Sequence, residues 1–305
     1  MELDISTLPV KLNAISRSPS SSQLCIPDSL LTVKGRFFSV GRKVAIALMY
    51  LATGCTLSVV SEKFGCGIST VSKIVDNFLD AMILRITNVI KWPSNPEDVQ
   101  RTKVGMQSAQ GLPNCMGAID CTYVKMERLA NELATNCPAN DKRVLQNSSL
   151  FRLAQANQRL HGSLFQQQGY AIREYILGDG GYYHLPWLLT PFQEPCIRSQ
   201  SRYNYRVSSS RMVVERAFGR LKNAWRILDG VIKNPIVIKV PKIIAVCCML
   251  HNLAINHGMA FDNEMDADLT AYHVDLNIAG SDIDDDAINA ETITMYLDEI
   301  HGTHM

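Results

Sequence analysis

The sequence predicts an α/β protein with an all-helical region in front of it. Three observations carry that reading. Three segments of helical periodicity, punctuated by glycines, lie between residues 40 and 90; two short β-branched segments run out at Asp120 and Asp179; and a basic helix and then an apolar helix follow. At 305 residues, with 47% hydrophobic and 19% charged side chains, the chain suits one large or two modest globular domains, and disorder throughout is excluded.

Residues 1–39 include the serine-rich run 16-SRSPSSSQ-23 and no sustained periodicity, so they read as a loosely ordered arm. Residues 40–92 form the helical region. The segment 40-VGRKVAIALMYLATG-54 is a helix ending at Gly54, 56-TLSVVSEKFG-65 a second starting at a Thr cap, and 68-ISTVSKIVDNFLDAMILRITNVI-90 a third. Three helices with Gly in the tight turns match a helix-turn-helix. On the third, Ile68, Val71, Ile74, Val75 and Phe78 form the expected buried stripe. Ser69, Thr70, Ser72 and Lys73 are left on the exposed first turns. Short hydroxyls and Lys73 could reach phosphates or base edges in a major groove; a plain packing module fits the same pattern.

The prolines of 91-KWPSNPED-98 mark a linker. A mixed α/β domain is then expected over 110–257. Its first strand is 115-CMGAIDCTYVKM-126, carrying Asp120; 149-SLFRLAQANQRLHGSLF-165 reads as a helix; and Tyr175–Leu177 is a short strand ending at Gly178 and Asp179. Next come a basic helix with a Ser cap, 208–228, and the apolar helix 241–255. Residues 258–305 hold twelve of the chain's 29 acids and no Lys or Arg, so all 30 basic side chains sit in the body against 17 acids. A positive body suits a polyanion, because Lys and Arg release counterions from a phosphate backbone. A solvated surface with an acidic end accounts for the charges equally well.

Two strand-end aspartates and one helical glutamate are the ingredients for gripping a pair of hard divalent cations. Such a pair activates water and stabilises the leaving oxygen of a phosphodiester. Asp120, Asp179 and Glu215 are the candidates. Glu215 lies beside the packing stripe Val214, Ala217, Phe218, Leu221, Trp225 and Leu228, with Arg211 one turn before it and Lys222 two turns after as candidate phosphate clamps. Each acid has a plainer reading: the aspartates as turn formers, Glu215 as half of an i,i+4 ion pair with Arg211.

Nine cysteines, an odd count with no CxxC, argue against a zinc ribbon or a disulfide framework and fit a reducing compartment. No apolar run reaches the length of a membrane span, and the N-terminus lacks the pattern of a secretory signal.

The strings GAIDCTYV, YILGDGGYYHLPWLLTPF, NYRVSSSRMVVERAFGRLKNAWRIL and CCMLHNLAI, in that order, together resemble the transposases of the PIF/Harbinger superfamily and their domesticated, nuclease-like relatives. The helices of residues 40–90 are similar to the region preceding the catalytic domain there. The resemblance implies a ribonuclease H-like DDE domain in which Asp120, Asp179 and Glu215 hold Mg²⁺ or Mn²⁺ for hydrolysis of DNA. It also implies a nuclear location, often beside a separately encoded Myb-like DNA-binding protein, with the cytoplasm as the expected place without that partner. Oligomeric state is left open. One departure from the family matters. Between Tyr123 and Lys142 the sequence lacks two strands expected beside the Asp120 strand, so the sheet is expected to be incomplete. That departure supports a competing expectation: a catalytically silent nuclear interaction module that binds the Myb-like protein or a chromatin partner.

Overall fold

The computed structural model describes residues 38–127, 140–167, 169–233 and 239–259. In chain order the elements are α1 (Val40–Thr53), α2 (Leu57–Phe64), α3 (Ile68–Ile83), α4 (Ile86–Val89), α5 (Pro96–Gln110), β1 (Cys115–Ala118), α6 (Asp141–Gln146), α7 (Ser149–Gln155), β2 (Phe165–Gln167), β3 (Tyr170–Ile172), β4 (Tyr175–Leu177), β5 (Leu188–Leu189), α8 (Arg198–Ala224), a 3-10 turn (Arg226–Leu228) and α9 (Lys239–Asn256). Nearly all of the expected N-terminal arm and acidic tail, and with them Cys25 and Cys137, lie outside the described residues.

Gly54 and Gly65 end α1 and α2 in the left-handed conformation (φ 63° and 59°), the turns that the sequence assigned to them. Val71, Ile74, Val75 and Phe78 of α3 are buried as expected. Ile68, placed in the same stripe by periodicity, is exposed. It opens the helix, before the turns that pack against α1 and α2. The third helix also stops at Ile83 instead of running to residue 90. Arg85 donates its N–H to the Met82 carbonyl at 2.9 Å, and the resulting turn lets both Ile86 and Ile90 bury.

These helices do not close a core among themselves. Ile46, Leu51, Val71, Ile74 and Phe78 share one apolar cluster with Leu221, Leu228, Ile243, Val246 and Met249 of the C-terminal elements. Two ion pairs fasten α9 to α3, Lys239 to Asp76 at 2.7 Å and Lys242 to Asp80 at 2.6 Å. With Val246, Cys247, Cys248 and Met249 all buried, α9 is enclosed around its middle, as its continuous apolar sequence requires.

The last three residues of the expected linker open a helix, α5, that runs on to Gln110. Pro96 occupies the first position of α5, where a missing N–H costs nothing, and the Asn95 side chain accepts the Asp98 N–H at 2.7 Å. Behind it, β1, β4 and β5 make a parallel sheet in the order β1-β4-β5, so among the described residues β1 has a strand partner on one side only. Residues 128–139, most of the stretch in which two strands were expected to be missing, lie outside the described residues. A separate antiparallel hairpin, β2–β3, occupies residues that the sequence assigned partly to a helix. That helix ends at Gln155, and Asn157 and Leu160 then take positive φ (54° and 55°), which turns the chain toward the hairpin.

Two further elements differ from expectation. The first strand covers only Cys115–Ala118 of the predicted 115–126, because its neighbour β4 is three residues long and offers nothing to pair with beyond Leu177. Met126 makes an isolated parallel bridge with Ile232 instead. Helix α8 starts at Arg198, well before Ser208, and ends at Ala224. The serines taken for a cap lie inside it, and Ser210 Oγ donates back to the Arg206 carbonyl at 2.7 Å while buried Tyr203 and Val207 extend the packing stripe.

Candidate active site

Parallel pairing of β1 with β4, with Ala118 opposite Leu177, brings both strands out of the sheet side by side. Two residues beyond each strand stands an aspartate. Asp120 Oδ1 accepts the Cys121 N–H at 2.8 Å, and Asp179 Oδ1 accepts the Gly181 N–H at 2.9 Å. In each case one carboxylate oxygen is tied to the backbone of its own turn and the other is left for the centre of the site.

The centre is the guanidinium of Arg211. Its Nη2 lies 3.5 Å from Asp120 Oδ2, 3.9 Å from Asp179 Oδ2 and 3.1 Å from Glu215 Oε1. The three acids singled out in the sequence, on two loops and one helix, thus meet at a single nitrogen. The site is graded in exposure: the side chains of Asp120 and Arg211 are 16% and 18% accessible, whereas Glu215 is 55% accessible and marks the open side. Burial pushes the Asp120 carboxyl above the ordinary carboxylate range; the Cys121 N–H and Arg211 pull it down, and Asp179 and Glu215 push it up again. Desolvation outweighs the arginine.

A fourth acid borders the site, and sequence reasoning passed over it. Asp141 opens α6, directly after the Asn140 cap, so in sequence it reads as an ordinary first-turn acid. In space, a Cβ placed on Gly181 would lie 2.9 Å from Asp141 Oδ2 and 2.9 Å from Asp179 Oδ1, so both carboxylates crowd the same glycine. Cys121 bonds the Tyr182 hydroxyl (Sγ to O 3.2 Å) and the Asp141 carboxylate. Its thiol is pushed up to about 11, first by burial, so it is a neutral hydrogen-bonding group at physiological pH and not a nucleophile.

Three carboxylates from three elements are the hard oxygen donors that Mg²⁺ or Mn²⁺ prefers, so the chemistry of the donor set fits such an ion. As the side chains stand, Arg211 supplies the positive charge at their meeting point. Among the described residues no three His, Cys, Asp or Glu side chains are grouped so as to hold a metal ion. The other cations named from sequence are more scattered. Lys222 Nζ donates to the Tyr123 carbonyl at 2.9 Å and so ties α8 to the segment following Asp120, while Lys73 is exposed on α3.

Comparison with known proteins bears on this arrangement. Residues 119–252, which hold all three acids, match the family described as DDE superfamily endonuclease. The Arabidopsis thaliana protein named ALP1-like is 34% identical over 263 residues, covering 75% of this chain and 64% of its own length. Antagonist of Like Heterochromatin Protein 1, also from Arabidopsis thaliana, is 34% identical over 76% of this chain and 66% of its own. Human HARBI1, whose name designates it a nuclease candidate, is 26% identical over 75% of this chain and 71% of its own. The chain therefore spans about two thirds of the length of these relatives. No solved structure matches it.

Proposed function

We propose, since the chain belongs to the Harbinger-derived family of DDE superfamily endonucleases, that it is a divalent-metal-dependent nuclease-like protein hydrolysing DNA phosphodiester bonds. The observation that carries this reading is the convergence of Asp120, Asp179 and Glu215 on one point. Those three would hold Mg²⁺ or Mn²⁺, which supplies Lewis-acid stabilisation of the phosphate and activation of a water. The protein's own part is positioning. Backbone N–H groups of Cys121 and Gly181 fix one oxygen of each aspartate, so the inward oxygen needs no reorganisation when it meets a charge. Glu215, the most accessible of the three, admits the substrate from the solvent side. Arg211 and Lys222 on the same helix, and Lys73 on α3, supply positive charge toward the duplex. A Myb-like DNA-binding protein would supply the target sequence, and the place of action would be the nucleus.

A second reading is favoured by a specific observation. The acids already face the positive charge of Arg211, and β1, which positions Asp120, has a partner strand on one side only among the described residues. A silent module binding a Myb-like or chromatin protein would have just these features. The name of one relative, an antagonist of a heterochromatin protein, agrees with that reading.

Incubation of the purified chain with plasmid DNA and Mn²⁺, beside Asp120→Ala, separates the two. Nicking by the wild type alone is expected; cleavage by both proteins, or by neither, overturns the nuclease reading and leaves the module.

A further inference from the structure

Resting on the reading that the three acids take a divalent cation, we infer that Arg211 is an internal stand-in for that cation: it offsets part of the acids' charge while the metal is away, must leave as the metal enters, and is thereby released toward a DNA phosphate.

Geometry carries the first half. One nitrogen, Nη2, lies within 4 Å of carboxylate oxygens from Asp120, Asp179 and Glu215. Three acids brought together with no cation would repel one another by several kcal/mol in a partly desolvated site, in the order-of-magnitude sense. The guanidinium offsets part of that repulsion, one positive charge among three carboxylates, and faces the inward oxygens of both aspartates. The same position cannot hold a guanidinium and a divalent ion together, so the two compete.

The second half follows from how Arg211 is bonded. Its Nε is buried without a hydrogen-bond partner, although Nη2 beside it faces three oxygens. A guanidinium binds best through two parallel N–H groups, the fork that matches a phosphate. In the inward pose that fork is half used, and an unmet buried donor is unfavourable. An outward pose on a phosphate would satisfy both nitrogens. Helix α8 fixes the backbone, so the change needs only rotation of a long side chain. Metal entry and phosphate binding then favour the same rotamer, and each must tighten the other.

The test uses the full chain with Mn²⁺ alone as probe, free ion being counted from its paramagnetic resonance signal. Arg211→Gln is expected to bind Mn²⁺ about tenfold more tightly than the wild type, and Asp120→Asn in the Arg211→Gln background to abolish that binding. Adding a short duplex should tighten Mn²⁺ on the wild type and leave Arg211→Gln unchanged. If wild type and Arg211→Gln bind equally, and Asp120→Asn still removes the site, the acids hold metal and the substitution role of Arg211 is wrong. If no binding sensitive to Asp120→Asn occurs in either, both the site reading and this inference fall. A measurement that does not use Arg211→Gln covers the case in which that variant does not fold. During a Mg²⁺ titration one arginine Nε–H resonance, identified by its loss in Arg211→Lys, should move; arginine resonances that all stay fixed overturn the inference.

Discussion

Acidification should loosen this protein through one buried histidine. His251 lies on α9 at 1% exposure, beside Met249 and Leu250 of the cluster shared by the front helices and the C-terminal elements. Burial first, and the charge of Arg220 second, lower its imidazole from 6.5 to about 4. A histidine held neutral in the fold but free to charge in the unfolded chain stabilises the protein above its unfolded value. That contribution is lost as pH falls from about 6.5 toward about 4. At about 1.36 kcal/mol per unit, going from neutral to about pH 5 removes about 2 kcal/mol, and the full loss approaches about 3 kcal/mol. Urea midpoints across this range, for the wild type and His251→Gln, read it directly. Carboxylates titrate in both proteins, so the histidine shows as a difference in slope, steeper in the wild type. Parallel pH profiles would refute the reasoning, because they would mean that the imidazole is as readily protonated folded as unfolded.

Two other outcomes follow from glycines in close quarters. At Gly54 (φ 63°) a Cβ would stand 3.0 Å from the Arg226 carbonyl oxygen, a backbone atom that cannot step aside, so Gly54→Ala should cost about 2 kcal/mol in urea denaturation. Gly181→Ala meets two movable carboxylate ends instead, Asp141 and Asp179, each 2.9 Å from the new methyl. Its thermal midpoint should change little, while Mn²⁺ affinity and any Mn²⁺-dependent nicking should fall about tenfold or more, since sites of this kind tolerate displacements of only about 0.5 Å.

The parts of the fold legible in sequence are those where local chemistry and packing agree. Gly54 and Gly65 stop helices because their conformation is left-handed, and the α3 stripe from Val71 to Phe78 buries because its spacing matches one helix face. Helix α5 is hidden because 96-PEDVQRTKVGMQSAQ-110 is polar around most of its surface, and because the pair Pro93 and Pro96 reads as a linker although Pro96 opens the helix. The early start of α8 was hidden by serines that cap in sequence but bond backward in space, as Ser210 does. The acids themselves were found from residue type and family resemblance together. Their common centre was not legible: the pairing of Arg211 with Glu215 is a local i,i+4 contact, whereas its reach to Asp120 and Asp179 depends on β1–β4 pairing and on α8 crossing the ends of both strands. Asp141 escaped for the converse reason, a local role that masked its long-range one.

Interlocking of the front and back of the chain limits how the molecule can be dissected. Leu221, on the same helix as Glu215, sits in one apolar mass with Phe78 of α3 and Met249 of α9. Severing the front helices near residue 92 would strip greasy surface bare on both fragments, and neither piece would be a fair sample of the whole. The same mass joins α3 to the rod that carries the third acid.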